Sequence, residues 1–173
     1  MDVTVEQLIN FEEPTDLAGC PLGQLRAVRD AYQEVENGLS YARRLVQGRL
    51  DTVAVELERR SEADPDTDLV HRLPTALASH TRGPGLPRPT PELDLPGWAD
   101  EIVAESDRRL GAPALADIAS VSDAELIDAV GSITELERAV SEARRSVQQR
   151  MDRVQDEIVA RYQAGASVDD LLI

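Results

Sequence analysis

Two stretches of the chain, from Pro21 to Arg60 and from Ser122 to Ala164, run without an internal proline, and in both the apolar residues return every three or four positions. In the first they are Leu25, Val28, Tyr32, Val35, Leu39, Ala42, Val46, Leu50, Val53 and Leu57. This spacing is a heptad seam with one extra four-residue step between Val46 and Leu50, and it predicts a long helix that packs along a narrow stripe against another helix. The second stretch carries Leu126, Ala129, Ile133, Leu136, Val140, Ala143, Val147, Met151, Val154 and Ile158 at the same spacing. A helix of ~40 residues is roughly 60 Å long. Ser122-Asp123-Ala124-Glu125 has the pattern of a capping box at the start of the second helix, and Gly165 is a natural stop for it.

The rest of the chain separates around these helices. Residues 1–20 form an N-terminal segment, 21–61 the first long helix, 62–121 a connector, and 122–173 the second long helix with a C-terminal tail. Pro84, Pro87, Pro89, Pro91 and Pro96 forbid a continuous helix through the connector. Short helices are expected near Asp68–Ser79 and Trp98–Leu110, with a turn or two of helix around Val5 to Phe11. The connector far exceeds the 2–8 residues that a helical hairpin needs, and Trp98 within it reads as exposed. The fold class is all-α: two long helices forming an antiparallel coiled coil, with short helices in the N-terminal segment and the connector.

The two long helices are also an internal repeat at an offset of 101 residues. Glu34–Arg60 aligned with Glu135–Arg161 gives 13 identities in 27 positions without a gap. Of the ten seam pairs only Ala42/Ala143, Val46/Val147 and Val53/Val154 are identical. The positions that immediately follow the central seam residues behave differently. Glu36, Ser40, Arg43, Gln47 and Asp51 in one helix match Glu137, Ser141, Arg144, Gln148 and Asp152 in the other at every place. At 100° per residue these five positions fall within an arc of about 80°, a polar stripe beside the seam. On the same flank, identity stops on both sides of the motif. Identity concentrated on polar rather than core positions implies that something outside the protein reads the stripe.

Composition narrows what that could be. The formal net charge is −15, and all 18 basic residues are arginine. So acidic a surface repels duplex DNA and anionic lipid, and favours a basic protein partner. Arginine is the cation suited to bidentate contact with guanine edges and phosphates, although an all-arginine usage equally fits a GC-rich genome. Cys20 is the single cysteine, which excludes an intrachain disulfide and fits a reducing compartment. There is no basic-then-apolar N-terminal leader and no apolar run of membrane-spanning length, so the expectation is a cytoplasmic protein without a membrane anchor, monomeric when free.

Parallel pairing would put the two stripes on opposite faces, whereas antiparallel pairing about a twofold axis brings them onto one. Matching the motif centres would then gather Arg43, Arg44, Arg144 and Arg145 in the middle, mutually repelling unless an anion fills the space. Arginine can take guanine O6 and N7, carboxylates can accept from its amino and imino hydrogens, and Ser and Gln can satisfy phosphate or ribose oxygens. A twofold-symmetric, guanine-bearing anion fits that inventory.

The two complete copies of Glu-x3-Ser-x2-Arg-x3-Gln-x3-Asp resemble the RsiG family, cyclic di-GMP-dependent anti-sigma factors of filamentous actinobacteria. The resemblance covers both long helices and neither the connector nor the N-terminus. It implies an antiparallel pair whose ten motif residues, with Arg44 and Arg145 as additional candidates, bind cyclic di-GMP, two molecules per chain. It further implies that the loaded protein sequesters a WhiG-like sporulation sigma factor, without binding DNA directly. The competing reading is a structural or adaptor coiled coil whose stripe binds a protein. No catalytic or metal site is expected: His71 and His80 have neither metal-ligand nor triad spacing, Gly83-Pro84-Gly85 is a turn rather than a phosphate loop, and Cys20 reads as an inert thiol.

Overall fold

In a computed structural model the chain is described at residues 14, 16–61, 74, 96–111 and 115–165. The short helices expected near residues 5–11 and, apart from Pro74, 68–79 lie outside the described residues, as do His71 and His80. Three α-helices and one short 3-10 segment make up the described fold: α1 (Leu22–Ser61), α2 (Gly97–Leu110), the 3-10 turn Leu115–Ser120, and α3 (Asp123–Gln163).

Each helix is bounded by recognisable chemistry. Pro21 precedes α1, and its carbonyl accepts the first helical bond from Leu25 N–H at 3.1 Å. Arg59 and Arg60 occupy the last turn, where cations favour the helix dipole. The capping box at α3 forms as the sequence predicts: Glu125 N–H donates to Ser122 Oγ at 3.3 Å, and Ser122 N–H to Glu125 Oε2 at 3.0 Å. Gly165, at φ 97°, follows the last turn of α3 in the left-handed region that ends helices. α2 begins after extended Pro96 and ends at left-handed Gly111.

α1 and α3 pack antiparallel along their length. All twenty seam residues enter one apolar core, most of them fully buried, with Val35, Leu50, Leu57, Ala143 and Met151 partly covered. α2 adds Ala99, Ile102 and Leu110, and the 3-10 turn adds Ile118. Trp98 is a correction to the sequence reading. It is partly buried against the core, and a Cβ placed on Gly38 would stand 2.7 Å from its ring and 2.9 Å from Pro96 Cγ. Gly38 is what lets this end of α2 approach α1. The repeat-equivalent Ala139 is exposed, so the third helix breaks the symmetry of the pair.

Among the described residues, α2 also fixes which face stays open. Arg49 on α1 donates to Asp107 on α2 at 2.9 Å, and Arg109 on α2 donates to the Ser132 carbonyl on α3 at 2.7 Å. Gly38, Arg49 and Ser132 each immediately precede a seam residue, whereas the stripe residues follow one. A step of one residue turns 100° about the helix. α2 therefore lies on one side of the seam and the duplicated polar stripe on the other.

Candidate functional site: a duplicated polar network on the open face

The stripes of α1 and α3 meet as two copies of one network. Arg43 Nε donates to Glu137 Oε1 at 3.0 Å and to Ser141 Oγ at 2.9 Å. Gln47 Nε2 reaches the same Glu137 oxygen at 3.1 Å, and Ser141 Oγ donates to it at 2.9 Å. In the second copy Arg144 Nε donates to Glu36 Oε1 and to Ser40 Oγ, both at 2.8 Å. Gln148 Nε2 joins that Glu36 oxygen at 3.1 Å, and Ser40 Oγ at 2.9 Å. Each copy takes Arg and Gln from one helix and Glu and Ser from the other. The Arg43–Glu137 pair is 36% and 19% exposed, and the Arg144–Glu36 pair 32% and 12%, so both sit at the rim of the core rather than in open water.

Four of these contacts locate the twofold axis. Glu36 faces Gln148, Ser40 faces Arg144, Arg43 faces Ser141 and Gln47 faces Glu137. The midpoint lies between Tyr41 and Ala42 on α1 and between Glu142 and Ala143 on α3. That is half a turn from the motif centre, beside the one seam pair in which both residues are alanine. This register corrects the sequence expectation. The central cluster of four unpaired guanidiniums does not form. Arg43 and Arg144 are held by carboxylates of the opposite helix, while Arg44 and Arg145 are exposed outside the network. The Ser and Gln side chains bond to the glutamates. Asp51 and Asp152 stand one turn beyond the shared contacts, Asp51 half-buried and Asp152 exposed.

This reciprocity is one physical reason for the repeat to be identical at Glu, Ser, Arg and Gln, since each residue type must serve the other copy. Arg Nη1 and Nη2 and the second oxygen of each glutamate take no part in the bonds, so the network presents both donors and acceptors.

A second symmetric feature escaped the sequence reading. Arg60 donates to the carbonyls of Val121 at 2.7 Å and Ile118 at 2.9 Å, in the turn before α3. Arg161 donates to the carbonyls of Cys20 and, at 2.8 Å, Leu17, in the turn before α1. Those pairs are again 101 residues apart, and both turns close with a 3.2 Å bond, Cys20 N–H to Leu17 O and Val121 N–H to Ile118 O. The identities Glu56/Glu157 and Arg60/Arg161 were the available signal. Glu56, 1% exposed, accepts from Arg59 at 2.8 Å and Arg60 at 2.7 Å. The hydrogen bond from Arg59, reinforced by Arg60 and opposed by burial, holds its carboxyl down at about 2 against an ordinary 4.5. These arginines serve the scaffold.

Among the described residues no cluster of His, Cys, Asp and Glu could hold a metal ion, and no helix is long and apolar enough to cross a membrane. A groove of about 510 Å³ lies between the end of α2 and the start of α3, lined by Arg109, Glu125, Asp128 and Ser132 among others; no stripe residue borders it.

No curated protein matches the chain. A family model described as RsiG-like matches residues 11–77 and 112–173, which take in both long helices and both copies of the network. The chain therefore belongs to the RsiG-like family, regulatory proteins with an anti-sigma factor role whose partner is a sigma factor.

Proposed function

We propose that this protein is a cyclic di-GMP-controlled anti-sigma factor. The stripe face of the α1–α3 pair takes two molecules of the dinucleotide, and the loaded protein sequesters a WhiG-like sigma factor and represses its regulon. The observation that carries the reading is the placing of two identical networks about a twofold axis on the face that α2 leaves uncovered. The arginine Nη groups there suit guanine O6 and N7, and the second glutamate oxygens, with Asp51 and Asp152, suit the guanine amino and imino hydrogens. The acidity of the chain, −15 overall, favours encounter with a basic DNA-binding protein and competition with DNA for it.

Gel filtration of the protein with the sigma factor, with and without cyclic di-GMP, tests the whole proposal. The nucleotide should raise sigma affinity, and by linkage sigma should raise nucleotide affinity by the same factor. Calorimetry should give two nucleotides per chain, much weaker binding of cyclic di-AMP, whose adenine lacks O6, and loss of binding in Asp152→Ala at unchanged helicity. Equal co-elution with and without nucleotide would sink the switch.

One observation favours a second reading. The networks bond Glu, Ser, Arg and Gln to one another across the two helices, as a structural adaptor coiled coil would require. A thermal-shift titration separates the two, since a ligand at a hundred times its dissociation constant adds about 2.7 kcal/mol of stability.

A further inference from the structure

The five-residue motif does not offer five equivalent ligand contacts, because its members are already bonded unequally. Glu36 Oε1 receives Ser40 Oγ at 2.9 Å, Arg144 Nε at 2.8 Å and Gln148 Nε2 at 3.1 Å. Glu137 Oε1 receives the matching three donors, Ser141 Oγ, Arg43 Nε and Gln47 Nε2. Three donors leave that oxygen no room for a fourth and fix the plane of the carboxylate. A serine hydroxyl has one hydrogen, and in both copies it already goes to the glutamate while the oxygen accepts from arginine Nε. The hydroxyl therefore has no donor left for a phosphate. Arginine has used its Nε–H alone, keeping the two Nη groups that form its planar fork.

We propose that Ser40 and Gln148 are positioning residues for Glu36, and Ser141 and Gln47 for Glu137, so that within each network the groups left for a ligand are the glutamate Oε2 and the arginine Nη edge, beside the aspartate of the motif. The inference rests on the cyclic di-GMP reading and deepens it. A guanine edge carrying acceptors and donors meets a preassembled glutamate–arginine pair, one from each helix. The serines and glutamines act on the ligand through that pair rather than by touching it. Because each set spans both helices, Ser40 and Gln148 govern the Arg144 half and leave the Arg43 half alone.

Two measurements on the full chain decide it. In the ligand-free protein, nitrogen-15 NMR should show slowly exchanging Nε–H groups on Arg43 and Arg144. Ser40→Ala or Gln148→Leu should speed exchange at Arg144 several-fold and leave Arg43 unchanged, and Ser40→Thr, which keeps a hydroxyl, should restore it. Exchange that changes equally at both arginines, or at neither, overturns the positioning role whether or not the nucleotide binds. With cyclic di-GMP, Ser40→Ala should weaken binding about fivefold to tenfold, and this loss should largely vanish in a Glu36→Gln background. An equal loss in both backgrounds means the hydroxyl touches the ligand and overturns the proposal. Absence of nucleotide binding to the unaltered protein would defeat the proposed function alone, since the exchange measurement needs no ligand.

Discussion

The indole of Trp98 occupies the space that a side chain on Gly38 would need, its Cη2 2.7 Å from the position of an added Cβ. Gly38→Ala therefore opposes two effects. Alanine gains up to ~1 kcal/mol of helix propensity over glycine, while forcing Trp98 and Pro96 outward costs about 1–3 kcal/mol. The expected net result is destabilisation with a shifted emission of the single tryptophan, measured by denaturant unfolding and fluorescence. Gly131→Ala is the control. Nothing lies within 4 Å of its added Cβ, so that variant should gain about 0.5–1 kcal/mol.

Gly38 also marks where legibility ended. The heptad spacing and the capping box at Ser122 are local patterns, and they fixed the helices, their pairing surface and one helix start. The 101-residue repeat placed the stripe. The docking of α2 depended on a shape match between Gly38 and a tryptophan sixty residues away, which no periodicity encodes. The register is illegible for a related reason: matching motif centres treats the polar stripe as what sets it, whereas the alanine pair Ala42 and Ala143 sits beside the axis. Arg60 and Arg161 were visible as identities, but their partners are backbone carbonyls, which carry no signature in a sequence.

Glu56 gives the scaffold an acid-sensitive point. Its carboxyl is held at about 2 against 4.5 when unfolded, so it contributes stability above pH ~4.5 that is lost as pH falls towards 2. The shift corresponds to at most about 3 kcal/mol. Glu56→Gln should be less stable at neutral pH and should flatten the stability profile between pH ~4.5 and ~2. Some slope will remain, because Glu105, held low by Arg109 and Arg108, titrates in the same direction. Urea midpoints measured across that range check it. An unchanged profile would mean that Arg59 and Arg60 do not hold the carboxylate.

Arg43 and Arg144 predict matched losses of ligand. Each makes the same two cross-helix bonds, with lengths agreeing within 0.2 Å. Under the proposed function, Arg43→Ala and Arg144→Ala should each weaken cyclic di-GMP binding by about ten- to a hundredfold, as expected for the loss of a charge-assisted contact. The two values should agree within about threefold, with helicity by circular dichroism unchanged. A large loss in one and none in the other would show that the ligand does not follow the symmetry of the pair.

The two terminal clamps are equivalent in geometry but not in consequence. Arg60 serves Ile118 O, Val121 O, Asp123 and the buried Glu56, so Arg60→Ala removes a partner of a carboxylate that is 1% exposed. Removing one member of a buried charged pair costs about 3–5 kcal/mol, and the remaining Arg59 bond should hold the loss to about 2–3 kcal/mol of global stability. Arg161 pairs instead with Glu157, which is 28% exposed, while holding the carbonyls of Leu17, Ala18 and Cys20. Its removal leaves no buried charge behind, so Arg161→Ala should act locally on the turn before α1. Cys20, 9% exposed, with its thiol donating to Asp16 O at 3.2 Å, reports on that turn. Its reaction with a thiol reagent should accelerate more than tenfold in Arg161→Ala, corresponding to the loss of more than about 1.4 kcal/mol of local stability, while the global unfolding midpoint shifts little. In Arg60→Ala the pattern reverses, with a lower midpoint and little change in Cys20 reactivity under native conditions. Parallel changes in both variants would mean that the clamped turns unfold only with the whole bundle.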